Sequence, residues 1–233
     1  MRSKLHRILT FAALALSLSI MFVPARTNAQ DLSSRPEEIE WTWEVRPAHV
    51  DPKLSNVLLV GDSISRNYYP EVQRQLNNVA NVYLIATSAS VGDPRLPRQL
   101  AEFSSMEAVH FNVVHFNNGM HGWTYSEADY RAAFPSFLAA LRAMAPGASL
   151  IWATTTPVKV DAVPGPTNAR VDARNSIALT FIKEAGIPID DQHALMTQHL
   201  DQYQDTVHFK TAGAVIQGQQ AAQSIRSALQ SEK

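Results

Sequence analysis

From Asn56 onward the chain repeats one unit: a short, mostly apolar strand-like segment, a turn, then a longer stretch with helical spacing. These segments cover residues 57–60, 79–85, 109–116, 150–154 and 187–190, and the first, Val57-Leu58-Leu59-Val60, ends in Gly61. The continuous run over residues 57–60 suits a strand buried on both faces, the pattern of a parallel sheet. Helical spacing follows over residues 65–77, 96–103, 127–145, 167–185 and 211–230. The third of these is capped by Ser126 and stopped by Pro146-Gly147, and the fourth is stopped by Gly186. Alternation of this kind predicts an α/β fold: a mostly parallel five-stranded sheet with helices on both faces, a three-layer α/β/α sandwich. In such sheets the functional residues gather beyond the carboxyl ends of the strands.

Composition narrows the class. Of 233 residues, 45% are hydrophobic and 18% charged, which excludes a disordered or fibrous chain. There is no cysteine, so disulfides, a thiolate zinc site and a cysteine nucleophile are excluded. A formal net charge of -1 gives no basic excess to hold nucleic acid or an anionic membrane. No nucleotide-binding glycine fingerprint follows any strand, so no dinucleotide cofactor is expected.

The first 29 residues differ from the rest. Arg2, Lys4 and Arg7 precede an apolar run over residues 8–23, and Thr27 and Ala29 stand three and one residues before a small-residue cleavage point. This is the order of a cleaved signal peptide, and the run is shorter than the roughly 20 residues of a spanning helix. No cysteine follows to carry a lipid anchor, so the expectation is export to the periplasm or outside, with no stable membrane anchor. The segment holds four of the 20 basic residues and no acid. The remainder therefore has 16 basic against 21 acidic side chains, a net charge of -5. Residues 30–54 are polar and broken by Pro36, Pro47 and Pro52, and read as an irregular arm. Within it, Trp41 and Trp43 on alternate positions suit a short strand packed on the domain; the alternative is an aromatic platform for a sugar ring.

After the first strand stands Gly61-Asp62-Ser63. Here the glycine allows a sharp exit from the strand, and Ser63 falls at a helix N-terminus, where free N–H groups favour negative charge. Just before the last helix stands Asp205-Thr206-Val207-His208. An aspartate three residues before a histidine on a turn can hold one ring nitrogen and stabilise the imidazolium. Separately, each block also fits a plain cap or surface turn.

Together the two blocks resemble those of the SGNH, or GDSL-type, hydrolases over roughly residues 57–229. The likeness implies a flavodoxin-like sandwich over residues 55–233, with Ser63 as nucleophile, His208 as general base and Asp205 as the orienting acid. It implies an oxyanion hole from the Ser63 N–H, the Gly92 N–H after the second strand, and an asparagine after the third. The fourth residue of the first block is Ile64 where the family has leucine, a packing change only. The third block departs further: His115-Phe116-Asn117-Asn118-Gly119-Met120-His121-Gly122 puts His121 where the family has asparagine. A ring N–H can donate as an amide does. His121 fills the role, or else Asn118 or Asn117 does from a shifted loop. The Gly-x-Ser-x-Gly elbow is absent, since residue 65 is serine, which argues against the α/β-hydrolase fold.

His110, His115 and His121 lie close in sequence, but their spacing matches no metal motif, and no metal is expected. His115 reads as a core or supporting histidine. Trp123 suits the substrate mouth, and residues 161–168 a rim loop. The implied activity is hydrolysis of short-chain or acetyl esters, on a small molecule or a glycan, without a cofactor. Two alternatives stand beside it: a carbohydrate-binding module of the same fold, and an acyltransferase using the same three residues.

Overall fold

The computed structural model describes residues 33–231. The signal-peptide reading of residues 1–29 lies outside the described residues. A six-stranded sheet is built from β1 (Thr42–Val45), β2 (Ser55–Gly61), β3 (Ala80–Thr87), β4 (Val113–Phe116), β5 (Ser149–Ala153) and β6 (Ile189–Asp190). Its spatial order is β1-β3-β2-β4-β5-β6. All pairs are parallel except β1 with β3. The helices are α1 (Ser63–Gln75), α2 (Arg95–Glu107), α3 (Glu127–Met144), α4 (Asn168–Glu184), α5 (Gln192–Thr197) and α6 (Thr211–Ser231). None of them is long and apolar enough to cross a membrane.

The period of two along the strands divides the core. Leu58, Val60, Ile85, Phe116 and Trp152 face a cluster with Phe103 of α2, Phe134, Phe137 and Leu141 of α3, and Ile182 of α4. Val57, Leu59, Leu84, Val113 and Ile151 face the other way, toward Tyr68, Val72 and Leu76 of α1 and Ala221 and Ile225 of α6. The middle layer is thus buried on both sides, as its apolar runs require. On the second face α1 and α6 touch closely: a Cβ on Gly218 would stand 2.6 Å from Cβ of Glu71 and 2.9 Å from the Tyr68 carbonyl oxygen.

The observed sheet has one strand more than the five expected. The tryptophan segment adds β1 antiparallel to the outer edge of β3, from Thr42 opposite Thr87 to Val45 opposite Leu84. All eight residues of β3 are buried, so an uncovered edge there would leave backbone groups without partners. The fourth strand is shorter than residues 109–116. The backbone pairing ends with the Asn112 N–H on the Asn56 carbonyl at 2.8 Å, and side-chain amides join the strands there: Asn112 Oδ1 accepts from the Asn56 N–H at 3.0 Å, and Asn56 Nδ2 donates to the His110 carbonyl at 2.9 Å. Helix α5, six residues long, was not expected, because so short a helix shows no periodicity.

One buried cation organises the loop between β4 and α3. Arg174 sits on the core stripe of α4 with Val171, Ala178 and Ile182, and is 1% exposed. Its guanidinium donates to the carbonyls of Gly119 (3.0 Å), His121 (2.7 Å), Gly122 (2.9 Å) and Tyr125 (3.3 Å). It also lies 4.1 Å from the centre of the Trp123 ring and 5.3 Å from that of Tyr130. Arg170, one turn earlier, donates to the carbonyls of Trp123 and Tyr125 and to Glu127. Burial pushes the Arg174 pKa down to about 10, with Tyr130, Glu127 and Glu37 opposing the fall, so the group stays charged at neutral pH. Replacing it leaves several buried acceptors unpaired. Arg174→Met is expected to lose on the order of 3 kcal/mol of unfolding free energy. Urea titration checks this, and an unchanged midpoint would show that the loop does not need the guanidinium.

Candidate active site

Helix α1 begins at Ser63, directly out of β2. Its cap is Asp62, whose Oδ1 accepts from the Ile64 N–H at 2.9 Å. Gly61 is required by close approach: a Cβ there would fall on the Ser65 side chain. The Ser63 N–H belongs to the first turn and has no acceptor among the described residues.

The second half of the site lies on a tight turn before α6. Tyr203 and Phe209 form an isolated antiparallel bridge, and their rings pack at a 35° tilt with centres 4.4 Å apart. The Gln204 N–H donates to the His208 carbonyl at 2.8 Å, and the Tyr203 hydroxyl donates to the Pro157 carbonyl. Within this turn Asp205 Oδ1 accepts from the N–H groups of Val207 (2.9 Å) and His208 (2.8 Å). The same carboxylate takes the ring: His208 Nδ1 lies 2.9 Å from Oδ2 and 3.2 Å from Oδ1. Partial burial pushes the Asp205 carboxyl up, but the two backbone N–H groups and the His208 ring outweigh it and hold it below the usual range. It is a carboxylate at neutral pH, so Nδ1 carries a proton and Nε2 is the basic nitrogen. That nitrogen stands 2.7 Å from Ser63 Oγ, across 145 residues of sequence.

Ser63 and His208 open on a pocket of about 430 Å³, shared with His121, Trp123, Met120 and Glu37. Its rim includes Pro164-Gly165-Pro166, from the segment expected as a rim loop, and Trp123 is where the sequence reading puts a mouth residue.

The oxyanion candidates separate. Asn118 is buried and bridges the β4 and β3 loops: its Oδ1 accepts from the Val91 N–H at 3.0 Å, and its Nδ2 donates to the Ala89 carbonyl at 2.8 Å. Asn117 donates to the Ala153 carbonyl and to Thr155 Oγ1. Neither asparagine lines the pocket; both tie strand ends together. Gly92 packs on Tyr125, with a Cβ at that position falling 2.8 Å from the ring. Its N–H has no acceptor among the described residues. His121 does line the pocket. Its Nδ1 lies 2.9 Å from Glu37 Oε2, its ring meets the Trp41 edge at 5.7 Å, and its Nε2 has no protein partner among the described residues.

Burial works against the charged form of His121, but the Glu37 hydrogen bond and the charges of Asp62, Glu37 and Glu40 outweigh it and raise its pKa. Glu37 is the mirror case. Burial pushes its carboxyl up, while His121 and the Gly122 N–H, at 2.8 Å, bring it below the ordinary value. No motif in the sequence marks Glu37 or Arg174. The one available signal is an arginine on the apolar stripe of α4.

The remaining histidines are separate. His115 Nε2 pairs with buried Asp190 Oδ2 at 2.7 Å. Among the described residues no three His, Cys, Asp or Glu side chains are placed to hold a metal ion.

No protein-family model matches the chain, and no curated protein matches it in sequence. Solved structures do match. A carbohydrate esterase family 3 protein from Talaromyces cellulolyticus is 15% identical with a TM-score of 0.58, over 76% of this chain and 99% of that one. A mutant acetyl esterase holding an acetate ion is 15% identical with a TM-score of 0.60, over 77% and 100%. A member of the lipolytic protein G-D-S-L family from Veillonella parvula is 16% identical with a TM-score of 0.55, over 74% and 98%. At these identities the likeness is one of architecture, and it agrees with the two sequence blocks: the chain has the fold of the SGNH, or GDSL-type, hydrolases.

Proposed function

We propose that the protein is a serine esterase that cleaves carboxylic esters through an acyl-enzyme. The observation that carries this reading is the unbroken hydrogen-bonded chain from Asp205 through His208 to Ser63, at a helix N-terminus and on an open pocket.

Ser63 Oγ attacks the ester carbonyl carbon as His208 Nε2 takes its proton, and the carbonyl π pair moves onto oxygen. The Asp205 carboxylate keeps Nδ1–H in place and stabilises the imidazolium. Collapse of the tetrahedral intermediate breaks the bond to the alcohol, which leaves with the proton from Nε2. Water then attacks the acyl-enzyme in the same way, His208 takes its proton and returns it to Ser63, and the carboxylic acid departs. The oxyanion lies beside the Ser63 N–H and His121 Nε2–H, with the Gly92 N–H as a third donor in this reading.

The substrate is a short-chain or acetyl ester, carried by a small molecule or a glycan. Two structural neighbours, an acetyl esterase and a carbohydrate esterase, support this choice, as does a pocket walled by Trp123 and a short proline loop. No metal or other cofactor enters the scheme. The N-terminal pattern adds export to the reading, with a mature chain that starts at Gln30.

Two measurements test the scheme. Ser63→Ala is expected to lower turnover of p-nitrophenyl acetate by at least about 10³-fold without loss of fold, and unchanged turnover in a folded variant refutes the nucleophile. His121→Ala is expected to lower kcat by roughly 10²- to 10³-fold. Asn118→Ala is expected to lower the urea midpoint instead, with kcat of the folded protein within a few-fold. The reverse pattern would move the donor role to the amide.

A further inference from the structure

We propose that Glu37, carried by the arm before β1, is the positioning residue that holds His121 with Nδ1–H on its carboxylate and Nε2–H toward the pocket. The arm is then part of the active site. This rests on the esterase reading and deepens it.

The argument starts from hydrogen counting. An ionised carboxylate only accepts, so the 2.9 Å contact with Glu37 requires a proton on His121 Nδ1. In a neutral ring that choice leaves a lone pair on Nε2, which would repel an oxyanion. Only the imidazolium donates from both nitrogens. A residue that serves as oxyanion donor through Nε2 therefore needs a partner that favours its second proton. The groups facing the ring supply one sign of charge. Glu37 and Glu40 come from the arm and Asp62 from the cap of α1. On the α4 side Arg174 engages the His121 carbonyl rather than the ring, and the Trp41 ring edge closes the remaining flank. His208 shares the pocket and must itself be neutral to act as a base.

Glu37 is held in place for this task. Its second oxygen accepts from the Gly122 N–H at 2.8 Å, and its own N–H donates to Glu40. The arm is fastened on both sides of it. Ser34 donates to Asp93, the Arg35 N–H donates to the Tyr125 hydroxyl, and Glu40 pairs with Arg95 at 2.8 Å. Downstream, β1 enters the sheet. The carboxylate thus reaches His121 from a fixed base, 84 residues away in sequence.

Activity then requires a charged His121, so kcat falls as pH rises through that group, and its alkaline limb is set by the Glu37 carboxylate. Glu37→Gln removes the charge and keeps the size. The expected result is a roughly 10- to 100-fold lower kcat at neutral pH, less than deletion of the donor itself. KM stays within about threefold, and the alkaline limb of the pH profile moves to lower pH, so that activity is partly recovered on acidification. A merely structural role predicts a lower urea midpoint with an unmoved limb, and that result overturns the proposal. The second measurement is made on the wild-type protein and needs no substrate. Ring ¹⁵N spectra of the wild-type protein, with His121 assigned by its loss in His121→Asn, are expected to show both nitrogens protonated at neutral pH. A bare Nε2 there overturns the proposal. A wild-type protein inert to esters and to a fluorophosphonate probe, yet with a doubly protonated His121, defeats the esterase reading and with it the catalytic purpose of the pair. An active wild type whose Glu37→Gln form keeps its profile defeats this inference alone.

Discussion

The 2.7 Å contact between Ser63 and His208 is the constraint on which the rest of the structure converges. It joins the end of the first parallel strand to the turn before the last helix. Parallel strands make this possible, because every crossover returns the chain so that all strands end at one edge. The contact also needs α1 and α6 side by side on one face of the sheet. Gly218 allows that by removing the Cβ that would meet Glu71 and the Tyr68 carbonyl. Ser63 heads α1, and His208 stands three residues before α6 begins, so the packing of two helices sets the distance between two side chains.

Around that contact the site is assembled by charges placed where apolar residues would otherwise sit. Arg174 occupies a core position on α4 and takes four carbonyls of the loop that carries His121 and Trp123. The same loop receives Glu37 from the arm on its other side. Buried acceptors without partners are costly, and a buried cation with four of them is a tightly specified arrangement. One loop is therefore clamped between a helix behind it and an N-terminal strap in front of it.

The sheet was legible because burial on both faces forces mostly apolar segments, and those stand out at residues 57–60, 79–85 and 150–154. The strand left out of the count, β1, is an edge: Trp43 and Thr42 face solvent, so no apolar run marks it, and the alternation of Trp41 and Trp43 was its one signal. The Gly61-Asp62-Ser63 and Asp205-Thr206-Val207-His208 blocks were legible only as a pair, through their likeness to the blocks of a known family; each alone fits a plain cap or surface turn. The pocket's other half was legible only in part: Trp123 and His121 were named from the sequence, Glu37 and Arg174 were not. The sequence left His121 and Asn118 open, because which side chain a loop turns inward depends on distant contacts: His121 lines the pocket, and Arg174, 53 residues away, holds its carbonyl. Glu37 carries no local signature, because its partners belong to a loop 84 residues downstream.

The most direct test is a crystal structure of the protein after reaction with a dialkyl p-nitrophenyl phosphate, which loses p-nitrophenolate as the nucleophile bonds to phosphorus and leaves a tetrahedral dialkylphosphoryl group in place. The account predicts a covalent bond to Ser63 Oγ and a phosphoryl oxygen within roughly 3 Å of both the Ser63 N–H and His121 Nε2. Failure of the reagent to bond to Ser63, or an adduct whose oxygen points away from His121, would contradict it.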